Sequence, residues 1–162
     1  MAGEFLYWDD LRGKPINIAG QGRQAGTVED FYYDPVTQAI KALRVNTALS
    51  GHAVLLSSAI ASIDQNGVTI ANENMLINED NAGPIYQLPP GRDLLGFRVV
   101  TEGGRELGRI RSLLLGIYPP VALRIAAFEL GERGSSRISA HEITSIGENE
   151  LTVIEQVGRE VH

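Results

Sequence analysis

Cysteine is missing from this chain of 162 residues, and tryptophan occurs once. Without thiols there can be no disulfide and no thiolate metal site, so covalent and zinc staples are excluded. The lack of cysteine is compatible with a reducing compartment, and a cytoplasmic location is expected. Long apolar runs are also missing. The most apolar window, Leu113 to Leu130, is broken by Pro119-Pro120 and Arg124, short of the ~18 apolar residues a membrane helix needs. No basic segment precedes an apolar one at the N-terminus, so no signal peptide is expected. Histidine is scarce: His52, His141 and His162 form no HxH or HExxH spacing, and no metal or other cofactor is expected. His141-Glu142 has no counterpart in the first copy of the repeat described below, where Ser58-Ala59 stands instead. No GxxxxGK[ST] phosphate loop occurs. Catalytic residues are therefore not expected.

Positive charge is short as well. The formal net charge is −6, the opposite of the concentrated basic face usual in nucleic-acid domains. Acidic residues outnumber basic ones two to one up to Asn81, whereas the rest of the chain is nearly balanced, with arginine its sole basic residue. Nucleic acid is thus an improbable partner overall, but a local arginine face is open in the second half.

What the chain does contain is a repeat. Gly13 to Asp34 reads GKPINIAGQGRQAGTVEDFYYD, and from Gly96 the pattern returns as GFRVVTEGGRELGRIRSLLLG. Gly13 and Gly96 stand 83 positions apart, as do Asp10 and Asp93. One residue is lost before Gly108, the counterpart of Gly26, and the offset of 83 is regained between Ile60 and Ile143 and between Ile63 and Ile146. Two copies make a duplicated domain and not a solenoid, which needs three or more units. Each copy has about 70 residues, a size at which only about 60% of the unfolded surface is buried. The copies are expected to lean on each other or on a second chain, and a homodimer is one such arrangement.

Short strands are expected throughout. Ile16 and Ile18 alternate with polar neighbours, Thr27 to Tyr33 and Ala39 to Asn46 follow, and Asp34-Pro35 initiates a turn between them. Another strand runs around Val54-Leu55-Leu56, Ser58-Ala59-Ile60 forms a single helical turn, and Asn66-Gly67 turns a hairpin into Val68 and Ile70. Met1 to Trp8 is expected as a frayed lead-in covering one end of the first core. Residues 71–93 are polar and proline-rich and read as a linker, with Met75-Leu76-Ile77 and Ile85-Tyr86 able to pack. The charged end, Glu155 to His162, is expected to be mobile.

The ordered set Leu11, Gly13, Ile16, Gly26, Val28, Asp30, Phe31, Asp34-Pro35, Ile60 and Ile63, repeated in the second half, resembles the PRC-barrel family. That family includes the cytoplasmic part of the photosynthetic reaction centre H subunit and the C-terminal domain of the small-subunit ribosome maturation factor. The resemblance covers Leu11 to Ile70 and Leu94 to Ile154. It implies an all-β chain of two tandem six-stranded barrels, at 5–72 and 92–156, joined by a linker at 73–91. It also implies a non-enzymatic adaptor that works through protein contacts, in a photosynthetic or membrane-associated complex. The alternative it leaves open is a ribosome-associated factor that meets RNA.

Contact candidates come from where the copies differ. The polar turn at Asp34-Pro35 is replaced in the second copy by Gly116-Ile117-Tyr118-Pro119-Pro120-Val121, an apolar tip suited to a contact. It is expected to meet either the first copy or another chain. Arg109 and Arg111 flank Ile110 and, with Arg105 and Arg98, could form a phosphate- or carboxylate-binding stripe, with Glu102 and Glu106 near enough to neutralise it. Gly13, Gly26, Gly96 and Gly108, with Asp34 and Pro35, are expected as structural turn residues, the glycines for positive φ. Asp9-Asp10 and Asp30 with Asp34 are more simply explained by turns and caps than by a bound cation.

Overall fold

The structure is a computed structural model that describes residues 4–47 and 51–155. The expected mobility of the C-terminal end falls on residues 156–162, which lie outside the described residues, as do Met1 to Gly3 and Leu49. The chain is all-β, with fifteen strands and one helical turn of α geometry among the described residues.

In the first repeat the strands are β2 (Pro15–Ile18), β3 (Gln24–Tyr33), β4 (Ile40–Thr47), β5 (Gly51–Leu56), β6 (Ile60–Asp64) and β7 (Gly67–Ile70). They lie side by side in the order β6-β7-β2-β3-β4-β5. All neighbours are antiparallel except β2 and β7, which run parallel with Ile16 opposite Val68. The second repeat has β9 (Arg98–Thr101), β10 (Glu106–Arg109), β11 (Ser112–Gly116), β12 (Arg124–Glu129), β13 (Arg137–Ser139), β14 (Ile143–Ile146) and β15 (Glu150–Val153). Its order is the same, with β9 and β15 as the parallel pair. The long strand β3 has its counterpart in two pieces, β10 and β11, interrupted at Ile110-Arg111. The second repeat therefore divides into two four-stranded sheets.

Local chemistry accounts for the turns. Asp34 accepts from the amides of Val36 and Thr37 at 2.8 and 3.3 Å, the aspartate turn expected of Asp-Pro. Gly13 and Gly96 adopt φ of +83° and +93°, and each amide donates across to the following long strand, Gly13 to Val28 and Gly96 to Ile110, both at 2.8 Å. Gly26 is needed for a different reason than expected. Its φ is not in the left-handed region, but a Cβ there would stand 2.6 Å from the Asn46 carbonyl oxygen, so the glycine allows β3 and β4 to approach.

The N-terminal segment departs from expectation. Instead of fraying, β1 (Phe5–Tyr7) pairs antiparallel with β11 of the second repeat, Leu6 opposite Leu115, while Trp8 does cover Phe31 of the first repeat as expected. The expected turn at Asp9 to Gly13 begins as the helical turn α1 (Trp8–Leu11), whose Trp8 and Leu11 are buried. The segment before the second repeat does the reciprocal thing. Pro90 bridges to Tyr32 of β3, the amide of Tyr33 donates to Pro89 at 3.2 Å, and the 3-10 turn Gly91–Leu94 packs on β3. Each repeat thus lends its lead-in to the other.

A further contact relates the repeats. Phe31 opposes Leu43 in β3–β4 as Leu113 opposes Phe128 in β11–β12, and a bulge follows at the same place in each pair. By that register Ala39 corresponds to Arg124, and these two residues bridge each other. Around them the Ile40 amide donates to Leu123 at 2.9 Å and the Ile125 amide to Gln38 at 3.0 Å. A residue paired with its own counterpart marks a local two-fold axis. The buried side chains of both repeats form one continuous cluster, from Trp8 and Phe31 to Phe128 and Leu151. The expectation that each copy encloses its own interior is corrected accordingly: the core is common property, because the lead-ins that complete it are exchanged.

The linker is built into the fold too. β8 (Leu76–Asn78) adds to β5, with Val54 opposite Ile77. Ile85 and Leu88 pack on a second small cluster of Tyr32, Ala42, Val54 and Ala82 on the outer face of the sheet. Tyr86 meets Tyr32 edge to face at 5.6 Å.

Trp8 sits edge-on to Phe31 at 5.0 Å, with 1% of its surface exposed. Trp8→Ala is expected to lower stability by about 3–5 kcal/mol, the range for deleting a large buried aromatic. Because the core is shared, both repeats should melt in a single calorimetric transition, in the variant as in the parent. Two separate transitions would contradict the shared core.

Candidate contact surface

Charged side chains that are buried come first, since they are the groups most able to do chemistry. Glu129 on β12 is fully buried, yet both of its oxygens are occupied. Oε2 accepts from the Tyr7 hydroxyl at 2.9 Å and from Arg137 Nε at 2.8 Å, and Oε1 accepts from the Gly134 amide at 3.1 Å. Its hydrogen bond raises the Arg137 pKa. Alongside it, Arg133 forks onto both oxygens of Asp10 and lies 4.3 Å from the Tyr7 ring centroid. These contacts pin β1 and α1 to the second repeat. Every strong acceptor is satisfied, which is the arrangement of a structural charge and not of a reacting one.

Asp30 on β3 plays the matching part in the first repeat. It is 1% exposed, and its Oδ1 accepts from the amides of Phe31 at 2.8 Å and Arg92 at 3.0 Å. Burial raises its pKa, against the hydrogen bonds from those amides and the charge of Arg92. Sequence reasoning assigned Asp30 to turn or cap chemistry. Its actual role is to hold the second repeat's lead-in.

A third polar group lies on the outer face. Glu29 sits between Arg44 Nε, 3.3 Å away, and His52 Nε2, 3.1 Å away, while Arg44 also reaches Glu79 at 3.5 Å. Near it a cleft of about 640 Å3 opens between the ends of β3, β4 and β5, with Gln24, Asn46, His52 and the Arg23–Glu73 ion pair on its walls. Among the described residues, no group of three or more His, Cys, Asp or Glu could hold a metal ion, and no helix is long and apolar enough to cross a membrane.

The expected contact residues are split by the structure. Ile117 is buried in the common core, whereas Tyr118 and Val121 are 63% and 71% exposed. Pro119 is exposed, and Pro120–Ala122 forms a 3-10 turn that packs against Ser57–Ala59 and β6 of the first repeat. The tip therefore rests on the first repeat through one side and offers Tyr118 and Val121 outward. Val36, at the corresponding turn of the first repeat, and Phe5, on β1, are also exposed. Of the four, Phe5 and Val36 were missed, because no strand period flags a single apolar residue on an edge or a turn.

Arg105, Arg109 and Arg111 are all exposed, with Ile110 buried between the last two. Their partners differ. Arg109 stands across from Arg98 in the β9–β10 ladder and donates to the Gly96 carbonyl at 3.0 Å, and Arg98 is paired with Glu150 and not with Glu102 or Glu106. Arg105 and Arg111 have no ion-pair partner among the described residues.

Compared with known proteins, the chain matches no family model and no curated protein.

A raised carboxyl pKa gives a signed pH test. With its folded pKa above the unfolded value, Asp30 favours the folded state below about pH 4, and that contribution is lost as pH rises through the folded pKa. Asp30→Asn keeps an acceptor for the two amides but has no charge to desolvate. In urea titrations the variant is expected to gain stability relative to the parent as pH rises from the acid range to neutrality. A constant difference across that range would show that Asp30 does not titrate as its burial requires.

Proposed function

We propose that the chain is a non-enzymatic adaptor made of two fused PRC-type barrels, each closed on six strands and completed by the other's lead-in, that acts through protein contacts at the cytoplasmic face of a photosynthetic or other membrane-associated complex. The barrel reading is supported by the common strand order of the two repeats and by their matching parallel closures, β2 with β7 and β9 with β15. The observation that carries the contact reading is where the exposed large apolar side chains fall. Of the five among the described residues, Phe5, Val36, Tyr118 and Val121 lie on the two turns beside the local two-fold axis and on the strand next to them, while Tyr86 lies on the linker against Tyr32. Exposed apolar and aromatic residues brought near each other are the composition of an interface core. The buried charges, by contrast, are committed to structure.

A second reading, a ribosome-associated factor, draws on Arg105 and Arg111, which have no acidic partner among the described residues, and on the juxtaposed Arg98 and Arg109. The overall charge of −6 weighs against it, since phosphate binding needs a surplus of positive charge.

Affinity capture of the intact protein from its native extract separates the two. The adaptor reading expects a protein partner that survives nuclease treatment and is retained by the Arg105→Ala, Arg109→Ala, Arg111→Ala variant. Small-subunit ribosomal proteins that are lost on either treatment would favour the second reading and remove the first.

A further inference from the structure

The local two-fold axis allows each surface feature to be compared with its mate, and one pair does not match. In the first repeat, the ledge formed by the end of β5 and the 3-10 turn Ser57–Ala59 is covered by the longer turn 116–124, through Pro120–Ala122. The corresponding ledge of the second repeat is the end of β13 and the capped 3-10 turn Ala140–Glu142. There the covering turn is the shorter 34–39, and an open pocket of about 440 Å3 is left. Its walls include Phe5, Ile125, Ala126 and Ala140, with Arg124 and His141 beside them. Arg124 is held in place, its guanidinium 6.0 Å from the Phe5 ring centroid and Nη1 donating to Ala122 at 3.1 Å.

We propose that this pocket receives the Tyr118–Val121 turn of a second copy of the chain, so that two molecules associate about a two-fold axis, each inserting its turn into the other. Three features point to that occupant. The pocket is continuous with the interface between the repeats and is its unfilled half, and what fills the other half is this same apolar, proline-bearing turn. Turn and pocket share one face: Phe5 lines the pocket and opposes Gly116, from which the chain passes through Ile117 to Tyr118. An isologous contact needs that adjacency, because each surface must present both the knob and the hole. Charge agrees as well. Exposed Glu4 is fixed beside the turn by the Ile117 amide, which donates to its carbonyl at 2.9 Å, and it would approach Arg124 at the partner's pocket. Association would cover Tyr118, Val121 and Phe5 together. These are the residues on which the proposed contact with a foreign protein also draws, and self-association is tested on the purified chain alone, so it can fail or hold independently of that reading.

Sedimentation equilibrium of the full chain over a wide dilution series tests the proposal. The intact protein should approach twice its chain mass of 17.6 kDa. Tyr118→Ser, which removes the knob, and Ala140→Arg, which fills the hole, should each shift the protein to monomer with its far-ultraviolet dichroism unchanged. Mixed together, these two variants should regain dimer in part, since one intact knob then meets one intact hole. Should Ala140→Arg fail to fold, Ala126→Arg on the neighbouring wall makes the same test. A parent chain that stays monomeric throughout would overturn the proposal. So would a dimer that survives either substitution, or a mixture that regains none.

Discussion

The structure depends on an exchange. A strand of three residues and a single helical turn, Phe5 to Leu11, leave the first repeat and complete the second, while Pro89 to Leu94 do the reverse. Each repeat alone is of a size at which the buried core is marginal. The exchange turns that shortage into a mutual requirement, with Trp8 and Leu11 from one side and Leu94 from the other all buried in one apolar cluster. The geometry is that of a homodimer with exchanged arms, written into one chain. Packing is tight at the crossing: at Gly91, the counterpart of Trp8, a Cβ would overlap the Phe31 ring, so the chain can pass there only as glycine.

Buried charge follows the same plan. Asp30 receives the amide of Arg92 from the second lead-in, and Glu129 receives the hydroxyl of Tyr7 from the first. Each carboxylate is a hook for the visiting segment. A buried carboxylate left without donors costs several kcal/mol, so a lead-in that came loose would leave an unpaired charge behind. This gives the exchange a directional component that apolar burial alone lacks. It also explains why Asp30 and Glu129 are buried without being left unpaired.

Duplication permits the two copies to diverge where the shared core does not constrain them. The turn that follows the long strand of each repeat, 34–39 in the first and 116–124 in the second, is polar and short in one case and apolar and longer in the other. The longer turn covers a ledge on the opposite repeat, while the shorter leaves its ledge open. Asymmetry of this kind is how a molecule with internal two-fold order acquires a surface with a knob and a hole.

Much of this was legible in the residues. The spacing of Gly13 and Gly96, the Asp34-Pro35 turn, the Asn66-Gly67 hairpin, the alternation around Ile16 and the apolar run Val54-Leu55-Leu56 are local signals, because turns and strands are governed by neighbours a few positions away. They determined the repeat, its strands and the all-β class. Which strand sits beside which across the two repeats was decided only in three dimensions. Phe5 to Tyr7 carries no mark of its partner ten strands later in the chain, since main-chain pairing is indifferent to side chains and the choice rests on where Trp8 and Leu6 find a core. The repeated Asp-Leu at Asp10-Leu11 and Asp93-Leu94 showed that the unit begins before its glycine, but not whose core it enters. The roles of Asp30 and Glu129, the splitting of the arginines and the open pocket follow from that choice, because each depends on contacts between residues distant in the chain.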